Sequence, residues 1–367
     1  MKIMLTYYND MTVFLSTIYD ALGFKIDYMG RPTKKTIELA TKYATESWCF
    51  DTKMMLGQAI EGFQRGNDIL TMAGAWGGKN ENCLLGYLCQ GPMKKRIEQA
   101  VHKKVKLWFF NVNPIEMMFS GYSAAYKNIA MLKPYTKINF FRAKVLKAMV
   151  LGVIKMRLAA KLKEKVLDSA DAVDKDFLFV IYDSFIKEMI FNAGDSRKAK
   201  KIFETASKSI SNLKRKKIKK KITIGIVGDY SHTLFSIFPF FDIEKFLISE
   251  DIYVRQPLSF INYYSFLSPI YSKKNRKFVS KIFPKAVAGS DVITILSANY
   301  LKNKVDGLIH VGTFSCTPEE VANEVLLSNK KLFPPILSLS YDAHTTEENL
   351  KVRIEAFVDM LLAQKRK

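Results

Sequence analysis

Cysteine is scarce in this sequence, with four residues at positions 49, 83, 89 and 316 of a 367-residue chain. So few cysteines in a chain of this length argue against a disulfide framework. None of them forms the local C-x-x-C pair that zinc ribbons and ferredoxins use. Those two classes of module are therefore excluded, and each cysteine has to be judged by its own surroundings.

Long apolar runs and nucleotide-binding motifs are also missing. The most apolar helical stretch, 148–154, is short and flanked by lysines, whereas a bilayer span needs about 20 apolar residues. Residues 1–6 lack the basic region and small-residue cleavage site of a secretory leader. No GxGxxG or P-loop pattern accompanies the strand at 222–227 that runs into Gly228, so its nucleotide signal is weak. We therefore expect a cytoplasmic chain with no membrane span and no ATP-binding module of its own.

The net charge of +22 comes almost wholly from the middle of the chain. Residues 1–93 hold nine basic and nine acidic side chains, residues 94–221 hold 31 and 11, and residues 222–367 hold 17 and 15. A basic segment of this kind is typical of binding to nucleic acid, an anionic membrane or an acidic protein. The alternative, which we favour, is a solvated lysine-rich surface that includes the basic run 214–221. Nucleic acid is therefore not an expected partner.

The order of apolar patterns predicts an α/β fold with two parallel sheets. Strand patterns at 2–7, 24–28, 68–73 and 105–112 alternate with helical ones. From 114 to 213 the strand signal is weak and long helical patterns replace it, and strands return at 222–227, 251–255, 307–311 and 336–340. Strands that alternate with helices form parallel sheets. We predict three parts: an N-terminal α/β domain at 1–125, a basic helical section at 126–221 and a C-terminal α/β domain at 222–367.

Cys316 stands at the clearest local motif. A strand pattern ends in a tight turn at this cysteine, and Thr317-Pro-Glu-Glu320 then opens a helix with a hydroxyl, a first-turn proline and two acids. The positive end of a helix favours thiolate over thiol. We therefore expect Cys316 to be ionised and to serve as a nucleophile, a redox thiol or a metal ligand. The alternative is a buried small hydrophobic residue at a packed turn.

The two halves of the chain resemble each other, and this places three cysteines at one edge. Asp68 and Asp306 each start a strand that runs into a glycine-containing turn, a cysteine and a helix. Loops that follow parallel strands gather at the carboxyl edge of the sheet, so Cys49, Cys83 and Cys316 are expected in one cleft. Three thiolates could hold a [4Fe–4S] cluster with one open iron, or zinc together with a histidine at 310 or 344. Three unrelated buried cysteines remain the alternative, and Cys89 is either a core residue or a fourth ligand.

Six segments, taken in order, carry a resemblance to a known family. They are 31–43, 48–57, 83–87, 307–319, Asp342-Ala-His344 and 353–357. Together they resemble the acyl-CoA dehydratase activase-related proteins, which are relatives of the iron–sulfur D-component of 2-hydroxyglutaryl-CoA dehydratase. The resemblance covers almost the whole chain and is weakest across 114–221.

The resemblance implies two flavodoxin-like domains and a [4Fe–4S] cluster bound by Cys49, Cys83 and Cys316, with Cys89 as a further candidate ligand. In the dehydratase branch of that family, an ATP-hydrolysing activase donates one electron to the cluster. The cluster then reduces an acyl-CoA thioester, and the resulting ketyl radical loses the neighbouring hydroxyl. The chain would accordingly be a lyase of the 2-hydroxyacyl-CoA dehydratase type, or a reductase component, in anaerobic metabolism. The alternatives are a non-catalytic cysteine-containing scaffold, an activase partner and a basic binding module.

Overall fold

The first part of the chain forms a sheet with helices on both sides. The computed structural model describes residues 1–73, 91–110, 126–127, 129–139, 141–218, 221–233, 241–259, 268–283 and 289–365. The elements of the first part are β1 (Lys2–Thr6), α1 (Asp10–Ala21), β2 (Lys25–Gly30), α2 (Lys34–Tyr43), α3 (Phe50–Gln64), β3 (Ile69–Ala73), α4 (Pro92–Val101) and β4 (Lys106–Phe110). Cys83, Cys89 and the helix predicted to begin near 84 lie outside the described residues.

Three long helices separate this sheet from a second one. They are α5 (Phe141–Leu167), α6 (Lys175–Phe191) and α7 (Ser196–Ser211). The second part contains β5 (Thr223–Gly228), α8 (Tyr230–Thr233), α9 (Ile243–Ser249), β6 (Tyr253–Arg255), α10 (Lys273–Ile282), α11 (Gly289–Leu301), β7 (Gly307–Thr313), α12 (Thr317–Ser328), β8 (Ile336–Tyr341) and α13 (Glu347–Gln364). The boundaries placed at 125 and 221 stay predictions.

Both sheets are parallel throughout and have the same topology. Their strand orders are β2-β1-β3-β4 and β6-β5-β7-β8. In each sheet the chain first adds a strand on one side of the starting strand and then crosses to the other side. The crevice at such a reversal, outside the carboxyl ends of the strands, is where doubly wound sheets bind ligands. The predicted fold class, two doubly wound α/β units of flavodoxin type joined by helices, is confirmed.

The resemblance between the two halves extends to individual hydrogen bonds. The backbone N–H of Lys2 donates to Asp68 Oδ2 at 2.7 Å, and that of Thr223 donates to Asp306 Oδ2 at 2.8 Å. The backbone N–H of each aspartate in turn donates to the carbonyl of the same partner residue. Each aspartate therefore joins the start of the first strand of its sheet to the start of the strand next to it.

The core between the first sheet and the helical section is built around α1. Every residue from Asp10 to Tyr19 is buried, because one side of α1 lies on the sheet and the other packs along α5. The two helices approach closely at Gly152, where an added Cβ would lie 2.7 Å from the ring of Phe14. A helix buried on all sides holds the sheet and the helical section together.

Most of the basic side chains of the middle section face solvent, as predicted, but several have specific partners. Lys163 makes an ion pair with Glu244, and Lys175 pairs with Asp251. In the run 214–221, residues 214–217 are exposed, and Arg215 and Lys216 pair there with acids at 171 and 251, at 2.6 and 2.7 Å. Within the described ranges, no helix is both long enough and apolar enough to cross a membrane.

Lys155 is a basic residue of α5 whose charge the fold opposes, and it gives a pH-dependent prediction. Its side chain is buried, and burial lowers the pKa from 10.5 to about 8. At pH 7 the folded protein therefore keeps a charge in poorly hydrated surroundings, at a cost of about 1–3 kcal/mol. We expect Lys155→Met to raise the free energy of unfolding at pH 7 by that amount. This increase in the free energy of unfolding should shrink as the pH rises from about 8 to 10.5, because Lys155 loses its proton in the folded state before it does so in the unfolded state.

Urea denaturation of wild type and Lys155→Met across this pH range measures the effect. Lys147→Met, at an exposed position of the same helix, is the matched control and should show no such pH dependence. A gain that stays constant from pH 7 to pH 10 would contradict the assignment of the effect to the lysine charge.

The N-terminal end of α9 receives two cations from other parts of the molecule. Arg31, which follows β2, lies 2.5 Å from the carboxylate of Asp242, and Lys163 of α5 lies 2.8 Å from Glu244. Burial alone would raise the pKa of Asp242, but the charge of Arg31 and the N–H of Lys245 outweigh it and leave the pKa lowered. Two ion pairs therefore connect the first sheet and the helical section to the same end of one helix.

Candidate functional site

Polar side chains from both sheets meet at the carboxyl edge of the second sheet. Asp229 directly follows β5, while Thr313 and Tyr341 are the last residues of β7 and β8. Asp51, in the first turn of α3, reaches them from the first part of the chain. This point lies at the strand-order reversal between β5 and β7, where ligand sites of doubly wound sheets occur.

The hydroxyl of Thr313 is the centre of this group. Its Oγ1 lies 3.1 Å from Asp51 Oδ1 and 3.2 Å from the hydroxyl of Tyr341, and it also contacts Asp229 Oδ2. The Thr313 hydroxyl has one hydrogen and cannot donate it to both carboxylates. The network therefore needs a further proton. Tyr341 supplies one donor, since its hydroxyl lies 3.2 Å from Asp229 Oδ2.

The surroundings raise the pKa values of both Asp229 and Tyr341. Burial, followed by the charge of Glu319, raises the pKa of Asp229. Burial, followed by the charge of Asp229, raises the pKa of Tyr341 well above its ordinary value. The pKa of His232, whose ring centroid is 6.3 Å from that of Tyr341, falls to about 4 because the imidazole is buried. At neutral pH the site therefore holds an uncharged imidazole and a tyrosine hydroxyl that retains its proton.

Gly228 lets the backbone reach this position. Its φ of 140° lies in a region that side chains disfavour, and an added Cβ would stand 1.9 Å from the carbonyl oxygen of Val311. The close approach of β5 to β7 at this point depends on glycine. As a result, Asp229, the first residue after β5, lies close to the end of β7.

A second buried group lies behind the first and fixes the start of α12. Glu319 is 1% exposed, and its carboxylate lies 3.2 Å from His310 Nε2 and 3.1 Å from the hydroxyl of Thr294. The hydroxyl of Thr294 also lies 3.0 Å from the carbonyl oxygen of Gly228. Sequence analysis placed Glu319 only as a favourable acid in the first turn of a helix, whereas its side chain points into the core.

The two cysteines in the described part of the chain take equivalent positions. Cys49 is the N-cap residue of α3 and Cys316 that of α12, and both are half-buried. Asp51 comes two residues after Cys49 and Thr313 three before Cys316, so the hydrogen bond between them brings the two helix starts together. The starts of the two helices therefore lie close together, each with a predicted cluster ligand at its N-cap, while Cys83, like Cys89, lies outside the described residues.

The expectation that Cys316 is a thiolate is wrong for the metal-free protein. Burial raises the pKa of the Cys316 thiol far above its ordinary value, and the carboxylates of Glu319, Asp229 and Asp51 raise it further. The backbone N–H of Glu319 acts in the opposite direction but is outweighed. Local sequence showed the favourable helix end, but it did not show that Glu319 turns inward or that the fold brings Asp229 and Asp51 close to the sulfur.

The two histidines considered as zinc ligands, His310 and His344, lie in different environments. His310 is buried against Glu319, whereas His344 is exposed and its backbone N–H donates to Asp342 Oδ1. Among the described residues, no group of three or more histidine, cysteine or acidic side chains is arranged to hold a metal ion.

Comparison with known proteins identifies no relative of this chain. No protein-family model matches the sequence, and no curated protein matches it. The functional argument therefore depends on the residues of the site itself.

Sequence analysis did not assign a role to Asp51, Asp229, Thr313 or Tyr341. Three of these residues could have been identified from the sequence. Asp229, Thr313 and Tyr341 are polar residues at the carboxyl ends of strands. Asp51 had no such signal. Its role depends on a contact with a residue 262 positions away in the sequence.

Proposed function

We propose that the chain is an iron–sulfur protein of the 2-hydroxyacyl-CoA dehydratase type, with a [4Fe–4S] cluster held by Cys49, Cys83 and Cys316. The observation that carries the proposal is the hydrogen bond between Asp51 and Thr313. It connects the first turn of α3, which begins after Cys49, with the end of β7, three residues before Cys316. This contact between the two helix starts supports a shared site for the two cysteines.

The residues at this position fit an iron–sulfur cluster in donor type and in electrostatics. Thiolates are the usual ligands of such clusters, and they have to lose their protons when they bind metal. Because burial and three carboxylates raise the pKa of Cys316, a thiolate at this position needs a strong positive charge beside it. Iron provides that charge, and the N-terminal ends of α3 and α12 add positive partial charges.

When bound, the cluster would supply one electron to an acyl-CoA thioester in the crevice, after reduction by an ATP-hydrolysing activase. The residues around it have separate tasks. Glu319, held by His310 and Thr294, fixes the first turn of α12 and with it the position of Cys316. Asp229, Thr313 and Tyr341 form a proton-holding network at the same edge. A hydroxyl that leaves a substrate as water needs a proton, and Tyr341, whose raised pKa keeps its hydroxyl protonated, is a group at this edge that could supply one.

Anaerobic purification followed by iron and sulfide analysis tests the proposal. We expect about four iron and four sulfide per chain, together with a broad visible absorbance that bleaches on chemical reduction. Reconstitution with ferrous iron and sulfide guards against loss of the cluster during purification. A chain that remains iron-free after reconstitution would overturn the proposal and favour the non-catalytic scaffold.

A further inference from the structure

A cavity of about 670 Å³ lies where α5 faces the end of β6 and the segment that follows α11. Asn9 and Asp10, which follow β1, and residues 256–259, which follow β6, form part of its wall. The carboxyl edges of both sheets therefore contribute to it. The volume falls in the range of small-molecule sites, and none of the residues of the Thr313 network lines it.

The lining of the cavity is basic. It includes five basic and two acidic side chains, a net formal charge of +3. Two of the basic residues are paired outside the lining, Lys163 with Glu244 and Arg255 with Asp168. For Arg157, Lys161 and Lys304, the described part of the chain provides no acidic partner within 4.0 Å, the limit for an ion pair.

These three side chains come from two elements that line the cavity. Arg157 and Lys161 are one helical turn apart on α5, so they project from the same face. Lys304 follows α11, and its Nζ lies 3.4 Å from the centroid of the Tyr300 ring. Cations from two elements around one cavity attract an anion that bridges them.

A buried hydroxyl points to a ligand at the same place. Ser268 lines the cavity and is 5% exposed, yet its Oγ has no hydrogen-bond partner among the described residues. A buried hydroxyl without a partner is costly, and rotation of the Ser268 side chain into the cavity would let a phosphate oxygen supply the missing bond. Apolar side chains also line the cavity, among them Leu258, Ile270 and Leu301, and they suit the organic part of an ester.

We infer that this cavity binds a small organic phosphate, with the phosphate between Arg157, Lys161 and Lys304 and the organic part against the apolar side chains. The inference is independent of the cluster and of Cys49, Cys83 and Cys316. It holds for the iron-free protein, so its failure and that of the proposed function can be told apart.

Calorimetric titration at constant ionic strength tests the inference with three probes: inorganic phosphate, AMP and adenosine. We expect AMP to bind with a dissociation constant below about 1 mM, inorganic phosphate to bind more weakly and compete with it, and adenosine not to bind. Equal binding of adenosine and AMP, or no binding of either phosphate, would overturn the inference.

Paired charge variants locate the site. The double variant Arg157→Gln/Lys161→Gln should lose AMP affinity by about tenfold to a hundredfold. Lys144→Gln/Lys147→Gln removes the same charge from exposed positions of the same helix outside the cavity, and it should bind AMP as the wild type does. Equal losses in the two double variants would show attraction to the general basic surface and would overturn the inference.

Ser268→Ala separates a ligand contact from a structural role. If the Ser268 hydroxyl forms a hydrogen bond with a bound phosphate, the variant should bind AMP several-fold more weakly. Its denaturation midpoint without AMP should be unchanged or higher. A lowered midpoint with unchanged AMP affinity would show that Ser268 supports the fold and would remove it from the site.

Discussion

Replacement of Cys316 by serine should abolish iron binding and leave the iron-free fold intact. A neutral hydroxyl does not replace thiolate on iron at neutral pH. The iron-free protein loses little, because burial and three carboxylates keep Cys316 protonated, so the substitution exchanges one uncharged side chain for another. Iron per chain, measured after anaerobic reconstitution, should fall from about four to near zero, while the urea midpoint of the iron-free chain should hardly change.

Cys49→Ser should behave in the same way. The sulfur of Cys49 lies 3.1 Å from the hydroxyl of buried Thr52, and a serine hydroxyl can keep that hydrogen bond. Loss of iron in this variant would therefore reflect the missing ligand and not a damaged helix start. Cys83→Ser should also lose the cluster, because a site with three protein ligands has no spare donor.

Cys89→Ser is the matched control of the series. It should keep its iron if the fourth iron is open to substrate. Loss of iron in Cys89→Ser, with the fold preserved, would indicate a closed site with four cysteine ligands and would favour an electron relay over thioester reduction. A full iron content in all three of the other variants would refute the ligand assignment.

The architecture could be predicted from the sequence because buried parallel strands have a distinct pattern. All seven residues of β7 are buried, and they stand out as a short apolar run between an aspartate and a turn. By contrast α10 was not predicted, since its sequence is mostly lysine, arginine and asparagine and it buries only Asn275 and Val279.

The site was less predictable because its chemistry depends on contacts distant in sequence. The helix that follows Cys316 is a local feature and was identified. The acids that hold a proton on Cys316 come from three other positions: Asp51 in the first part, Asp229 after β5, and Glu319 turned inward from its own helix. Only the fold brings these carboxylates together, so the sequence alone indicated the wrong protonation state.

The ion pair between Lys163 and Glu244 carries the second large expected effect. The two atoms are 2.8 Å apart, and the side chains are 13% and 8% exposed. Burial alone would lower the pKa of Lys163, but the charge of Glu244 and its hydrogen bond to the lysine outweigh it and leave the pKa raised. The lysine is therefore charged at neutral pH, and its contribution to stability is lost only as the pH rises through that raised pKa.

Glu244→Leu should lower the free energy of unfolding by about 3–5 kcal/mol, because it leaves a buried ammonium group without its partner. The double variant Lys163→Met/Glu244→Leu should recover most of this loss, since two apolar side chains replace a buried pair at little net cost. Urea denaturation of the single and double variants gives the coupling free energy. Lys351→Gln, which breaks an exposed pair with Glu347, is the control and should leave the midpoint nearly unchanged.

If the double variant were as unstable as Glu244→Leu, the loss of stability would come from the packing of α9 and not from the unpaired charge of Lys163 on α5. The ion pair between Lys163 and Glu244 would then result from the packing of the helical section against the second sheet and would add little stability itself. The contact between Arg31 and Asp242 would then be the ion pair that stabilises this end of α9.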